Sequence, residues 1–241
     1  CLLACFLLLL FSLSLPPPPP PFLPPNQVWY PLGRPVGTTI YPGMQVTAAV
    51  IYRTLEALGA GVSLNDVCVF MPAGFGATAS LFVYGLAKEA TGSANAGVLA
   101  GAIMAIIPAH LMRSVAGGYD NESVAVTAIC GTFFLWVRAL REAHLCWLWA
   151  LLAGLMYFFM AATWGAYTFV LNMVAVHAGV LLALGRFSDK LHLSYSIFYI
   201  VGTIGALQVP IVGLAPLQSL EQLSALGYPE RKKKKKKKER R

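Results

Sequence analysis

The chain has 241 residues, of which 57% are hydrophobic and only 12% charged, and its mean hydropathy is +0.66. A soluble domain carries roughly 25% charged residues, so this composition excludes a soluble globular enzyme, a disordered chain and a disulfide scaffold. The net charge of +8 is not a nucleic-acid signal, because it is confined to the last residues: Arg231, Lys232 to Lys238, Arg240 and Arg241 are offset only by Glu230 and Glu239, and the remaining chain is neutral. The balance describes a polytopic membrane protein with a basic tail.

Residues 1–25 open the chain with an apolar run, Cys1–Leu15, which is short for a span and lacks the basic flank of a signal peptide. The six prolines of Pro16–Pro21 follow, and such a run favours a stiff polyproline II rod. Residues 26–66 are rich in aromatic residues, glycine and proline, with a short helical pattern near Met44–Leu58. They are expected to form an extramembrane loop carrying one interfacial helix.

From residue 67 to residue 218 the pattern is that of a transmembrane helix bundle. A spanning helix needs about 20 mostly apolar residues, and about six segments meet or approach that length. They are Val67–Ala87, Ala94–Met112, Glu122–Ala139, His144–Ala162, Trp164–Leu184 and Leu193–Leu214. Gly97 and Gly101 give the second a small-residue packing face. Trp136 suits the membrane interface. Ala143–Gly185 runs 43 residues without Asp, Glu, Lys or Arg, and is divided at Thr163–Tyr167. Pro210 falls near the end of the last span. Residues 219–241 form a basic, low-complexity tail of the kind that is solvated or touches anionic lipid.

The loops alternate between two sides. Omitting the tail, Arg34, Arg53 and Arg113 lie on one side, and Lys88, Arg138, Arg141, Arg186 and Lys190 on the other. The positive-inside rule assigns the second side to the cytosol. Cys1, Cys5, Cys68, Cys130 and Cys146 form no C-x-x-C pair and are expected to be buried thiols.

Charge is scarce, so its local density is informative. The densest polar point is Arg113-Ser-Val-Ala-Gly-Gly-Tyr-Asp-Asn-Glu122, between two spans on the non-cytosolic side. Asp120 and Glu122 are two apart and share a face on an extended turn. Two converging carboxylates suit a hard cation such as Mg²⁺ or Mn²⁺, with Arg113 to hold a phosphate or orient a carboxylate. The bland alternative stands beside it: Asp120 caps the next helix and Glu122 occupies its first turn. His110 and His177 lie in apolar helices and are expected to be packed, hydrogen-bonded side chains.

Several strings together resemble one family, the catalytic subunit of oligosaccharyltransferase. They are Trp29-Tyr-Pro-Leu-Gly-Arg34, Thr39-Ile-Tyr-Pro-Gly43, Asp66-Val-Cys-Val-Phe70, the Arg113–Glu122 string, Trp164-Gly-Ala-Tyr167, Tyr195-Ser-Ile-Phe-Tyr-Ile-Val-Gly202 and Gln208-Val-Pro-Ile-Val-Gly213. Their coverage runs from Gln27 to Gln218. The resemblance implies an all-α GT-C-type membrane domain, multi-pass in the endoplasmic reticulum membrane. It implies transfer of an oligosaccharide from a dolichol diphosphate donor to the Asn of Asn-x-Ser/Thr sequons. Carried onto this chain, Asp120 and Glu122 would bind Mn²⁺ or Mg²⁺, and Arg113 would support activity beside them. Partner subunits, membrane lipid, the lipid-linked donor and an acceptor polypeptide are implied; nucleic acid is not. The family's first acidic motif, upstream of Trp29, has no counterpart before Glu56, and its Trp-Trp-Asp-Tyr-Gly stretch lies beyond Arg241. The expectation is therefore an incomplete membrane domain, inactive as an isolated piece. A transporter or channel-like bundle with an ion site at Asp120 and Glu122 is the alternative, and another lipid-linked-sugar transferase of the same fold is a third possibility.

Overall fold

The computed structural model describes residues 40–142, 144–186 and 188–218, which are helical with short connections and, among those residues, contain no strand. Residues 1–25, the Trp29–Arg34 string and the basic tail lie outside the described residues. The helices in chain order are α1 (Gly43–Ala57), α2 (Leu64–Thr91), α3 (Ala94–Ile106), α4 (Pro108–Leu111), α5 (Asn121–Arg141), α6 (Cys146–Thr163), α7 (Tyr167–Ala183), α8 (Asp189–Leu207) and α9 (Ala215–Gln218). By length and composition, α2, α5 and α6 can each cross a membrane; α3 and α7 are apolar but shorter.

The local chemistry of the ends explains most of the boundaries. Helix α2 begins at a capping box: Asp66 N–H donates to the Ser63 hydroxyl oxygen, and Ser63 N–H donates back to the Asp66 carboxylate. It therefore starts three residues before the expected Val67. Gly92, at φ +75°, closes it in the left-handed region that a residue with a Cβ enters at a cost. The expected span Ala94–Met112 is instead broken. Pro108 forces Ile107 into an extended conformation (ψ 124°), so α3 stops at Ile106 and a single turn, α4, follows. The last span is also shorter than expected, ending at Leu207 before the turns around Pro210.

Helix α6 is the centre. Twelve of its eighteen residues are buried, and it packs on α5 and α8 along most of its length. Helix α2 packs on α5 and, on its other side, on α3. Glycines set the close approaches. A Cβ on Gly97 would lie 2.8 Å from the Tyr84 carbonyl oxygen, so α3 rests on the backbone of α2 as its small-residue face predicts. A Cβ on Gly202 would lie 2.4 Å from the Tyr157 ring, which seats α8 on α6.

Trp136 corrects one expectation. It is 2% exposed, buried among the helices rather than facing lipid. Its indole N–H donates to His177 Nδ1 at 3.0 Å, and its ring meets Tyr195 and Phe198. A buried indole needs an acceptor, and the half of α7 facing it supplies one. Helix α1 lies across α2 and α6, where Gly43 touches Thr163 and Ala162 and Tyr41 covers Gly165. Below it opens an apolar cavity of about 740 Å³, bounded by Ile51, Phe70, Phe75, Trp149 and Phe159 among others.

Candidate functional site

The loop joining α4 to α5 carries Arg113, Asp120 and Glu122. Asp120 is the N-cap of α5, extended at φ −134° and ψ 151°, and its Oδ1 accepts from Asn121 N–H at 2.7 Å. Glu122 is in the first turn of α5. Both carboxylates therefore sit at the positive end of a 21-residue helix, where negative charge is favoured. The capping expectation for the two acids is met.

Arg113 brings the two acids together. Its Nε donates to Glu122 Oε2 at 2.8 Å and its Nη1 approaches Asp120 Oδ2 at 3.4 Å. The Arg113 and Asp120 side chains are each 54% exposed, and Glu122 is 29% exposed. Pairs this exposed stabilise the fold by no more than about 1 kcal/mol. The consequence is geometric: one cationic group touches both carboxylates, so the acids converge on a single point at the protein surface.

The loop reaches this shape because it is held to α2. Gly117 turns at φ +90°, a conformation that suits glycine, and its N–H donates to the Val69 carbonyl at 2.9 Å. Tyr119 lies against the Cys68 thiol, and burial, then that thiol, raises its phenol well above the ordinary range. His110 and Ser114 are buried, with His110 Nε2 3.2 Å from the Gly76 carbonyl oxygen and Ser114 Oγ 3.4 Å from His110 Nδ1. The Asp66–Phe70 and Arg113–Glu122 strings thus touch each other, as do the Thr39–Gly43 and Trp164–Tyr167 strings.

The donor set suits a hard divalent cation in part. Two carboxylates converge, and Mg²⁺ is commonly held by one or two carboxylates together with water and substrate phosphates. Among the described residues no group of three or more His, Cys, Asp or Glu is placed to hold a metal, so any cation here would need further ligands from substrate, water or other segments. The guanidinium already stands between the acids as a cation.

At the opposite end of α5 is a second charged cluster that the sequence did not reveal. Arg138 bonds Glu89 at the end of α2, reaches Glu142 at 3.5 Å, and lies over the Trp149 ring at 5.5 Å. Arg141 approaches Glu89 at 3.8 Å. Glu89 lies 49 and 52 positions from its two arginines, a separation that no local spacing rule finds; only Arg138–Glu142 is an i,i+4 pair. The cluster ties the ends of α2, α5 and α6 together.

Comparison with known proteins covers nearly the whole described region. A family model described as "Oligosaccharyl transferase STT3, N-terminal" matches residues 20–229. The chain is 43% identical over 199 residues to the dolichyl-diphosphooligosaccharide–protein glycosyltransferase subunit stt3 of Schizosaccharomyces pombe, covering 83% of this chain and 26% of that protein. It is 39% identical over 202 residues to the corresponding subunit of Dictyostelium discoideum, covering 84% of this chain and 28% of that protein. The chain thus spans about a quarter of the length of these curated relatives. Its fold matches the archaeal oligosaccharyltransferase AglB from Archaeoglobus fulgidus, solved with an inhibitory peptide and a dolichol-phosphate. That match has a TM-score of 0.60 and 21% identity, over 81% of this chain and 26% of that one.

Proposed function

The chain belongs to the STT3 family of oligosaccharyl transferases, and on that premise we propose that it forms part of a membrane enzyme for protein N-glycosylation. The reaction transfers a preassembled oligosaccharide from a dolichol diphosphate to the side-chain amide of Asn in Asn-x-Ser/Thr. The amide nitrogen forms the new bond to the first sugar's anomeric carbon, the bond from that carbon to the diphosphate oxygen breaks, the diphosphate leaves with the electron pair, and one amide proton is released to it or to water. The observation that carries this proposal is the family match across residues 20–229. The relatives' names state the donor and the transfer, and the neighbouring fold was solved with a peptide and a dolichol-phosphate.

Asp120 and Glu122 would hold Mn²⁺ or Mg²⁺, which when bound supplies Lewis-acid stabilisation to the departing diphosphate. Arg113 orients the two carboxylates and is exposed enough to turn toward an approaching phosphate. The start of α5 adds the helix's positive end. The acids lie at a helix start on the surface rather than at mid-helix, where a transport site would need them. The loop-charge bias supports a non-cytosolic position for this end of the bundle and a cytosolic one for the Arg138 end; on the family reading the non-cytosolic side is the endoplasmic reticulum lumen, with other transferase subunits as partners in the membrane.

The test is a chimera in which residues 20–229 replace the matching part of the Schizosaccharomyces pombe subunit, in cells whose own subunit can be shut off. A reporter with one sequon should be glycosylated by the chimera and not by its Glu122→Gln variant. A chimera that accumulates in the membrane yet leaves the reporter bare refutes the proposed activity. Normal glycosylation by the Gln variant refutes the cation site.

A further inference from the structure

Helix α2 offers an unusual row of main-chain acceptors. Pro72 has no N–H, so the carbonyl that loses its helical donor is that of Cys68, four residues earlier. Around Pro72, three other carbonyls take donors from outside the helix. Gly117 N–H binds Val69 at 2.9 Å, the Thr127 hydroxyl binds Phe75 at 2.7 Å, and His110 Nε2 lies 3.2 Å from Gly76. The three donors come from the loop, from α5 and from α4. Both halves of the charged site are therefore measured against one eight-residue stretch, Val69–Gly76.

His110 is the least replaceable of the three donors. A carbonyl only accepts, so Nε2 carries the hydrogen and Nδ1 is the acceptor of the Ser114 hydroxyl. Both ring nitrogens are used, and the ring is 7% exposed. Arg113 follows three residues later, and its N–H donates to the His110 carbonyl at 3.2 Å. Gly76 has no side chain to hold the loop away: a Cβ there would lie 2.5 Å from Ser114 Cβ. The main chain of Arg113 is thus fixed on one side by the His110–Ser114 pair and on the other by Gly117.

We infer that His110 is a positioning residue: by bridging the Gly76 carbonyl and the Ser114 hydroxyl, it sets Arg113 between Asp120 and Glu122 and pre-organises the two carboxylates for their cation. The inference rests on the cation site proposed above. His110 touches neither acid in this arrangement and acts only through the placement of Arg113. Outer groups that orient metal-holding side chains typically change metal affinity 10–100-fold when removed.

The test uses the full 241-residue chain in detergent, with His110→Leu, His110→Gln and Ser114→Ala. Gln can place its amide nitrogen where Nε2 stands and keep the bond to Gly76; Leu fills the space without it. Two quantities are measured: Mn²⁺ binding, from loss of the free-ion EPR signal, and amide hydrogen exchange of residues 113–120. His110→Leu should weaken Mn²⁺ about tenfold and speed exchange at Gly117, and His110→Gln should restore both toward the parent values. Should His110→Leu not fold, Ser114→Ala, which deletes one hydroxyl, should show the same two shifts at about fivefold, as loss of one hydrogen bond implies. Unchanged binding and exchange in His110→Leu, or a Gln variant as impaired as the Leu variant, overturns the inference and makes His110 a packing residue. Should the parent chain bind no Mn²⁺, as a site short of ligands would, the exchange data decide the His110 latch by themselves, and the cation site is decided by the Glu122→Gln chimera.

Discussion

The contact between Gly76 and Ser114 can be measured by a double-mutant cycle. A methyl at position 76 would sit 2.5 Å from Ser114 Cβ and 2.9 Å from its hydroxyl, against an ordinary carbon–carbon separation of about 3.5–4.0 Å. One group must retreat by roughly 1 Å, and overpacking of this size costs about 1–3 kcal/mol. Alanine in the interior of α2 returns about 0.5–1 kcal/mol through helix propensity, so Gly76→Ala should be destabilising by about 0–2.5 kcal/mol. Ser114→Gly removes the hydrogen bond to His110 Nδ1, worth about 1 kcal/mol. In the double variant the clash cannot occur, because position 114 no longer has a Cβ. The two substitutions should therefore be less harmful together than summed, by about 1–3 kcal/mol. Unfolding of the purified chain in detergent, followed by tryptophan fluorescence, measures all four corners. Additivity within about 0.5 kcal/mol, the range for independent sites, would refute the direct seating of the loop on α2.

Two further outcomes follow from the same geometry. Asp120→Asn keeps an N-cap acceptor and should cost under about 1 kcal/mol of stability, the value of an exposed ion pair, whereas Asp120→Ala should cost about 1–2 kcal/mol; both should lose most Mn²⁺ binding, and retention of binding by the Asn variant would leave Asp120 as a cap alone. For topology, cysteines at Val115 and Leu145 probe opposite ends of α5, which spans roughly 31 Å at 1.5 Å per residue. Both sites are exposed, unlike the buried Ser114. In sealed microsomes an impermeant thiol reagent should label the Leu145 site and reach the Val115 site only after opening; the reverse pattern would invert the assigned sides.

The main helices and the chemistry of the charged loop were legible in the residues alone. Runs without charge located α2, α5 and α6, because a spanning segment must exclude charge over its whole length. Asp120 at an N-cap and Glu122 in a first turn were legible because capping is decided within four residues. The break at Ile107–Pro108 was equally local and was nevertheless masked by the apolar run around it, as was the earlier start of α2 set by Ser63 and Asp66.

Which helix faces which is settled by packing, and several features follow from it alone. Trp136 has the composition of an interfacial residue, and only the packing of α7 and α8 against α5 buries it and supplies His177 as its acceptor. The Arg138 cluster joins residues about fifty positions apart. The same holds for the charged loop. Spacing placed Asp120 and Glu122 near each other, but their convergence depends on Arg113. The position of Arg113 depends in turn on carbonyls of Val69 and Gly76 that belong to another helix. Main-chain acceptors carry no residue identity, so a loop that takes its shape from a neighbouring backbone leaves no pattern in its own letters.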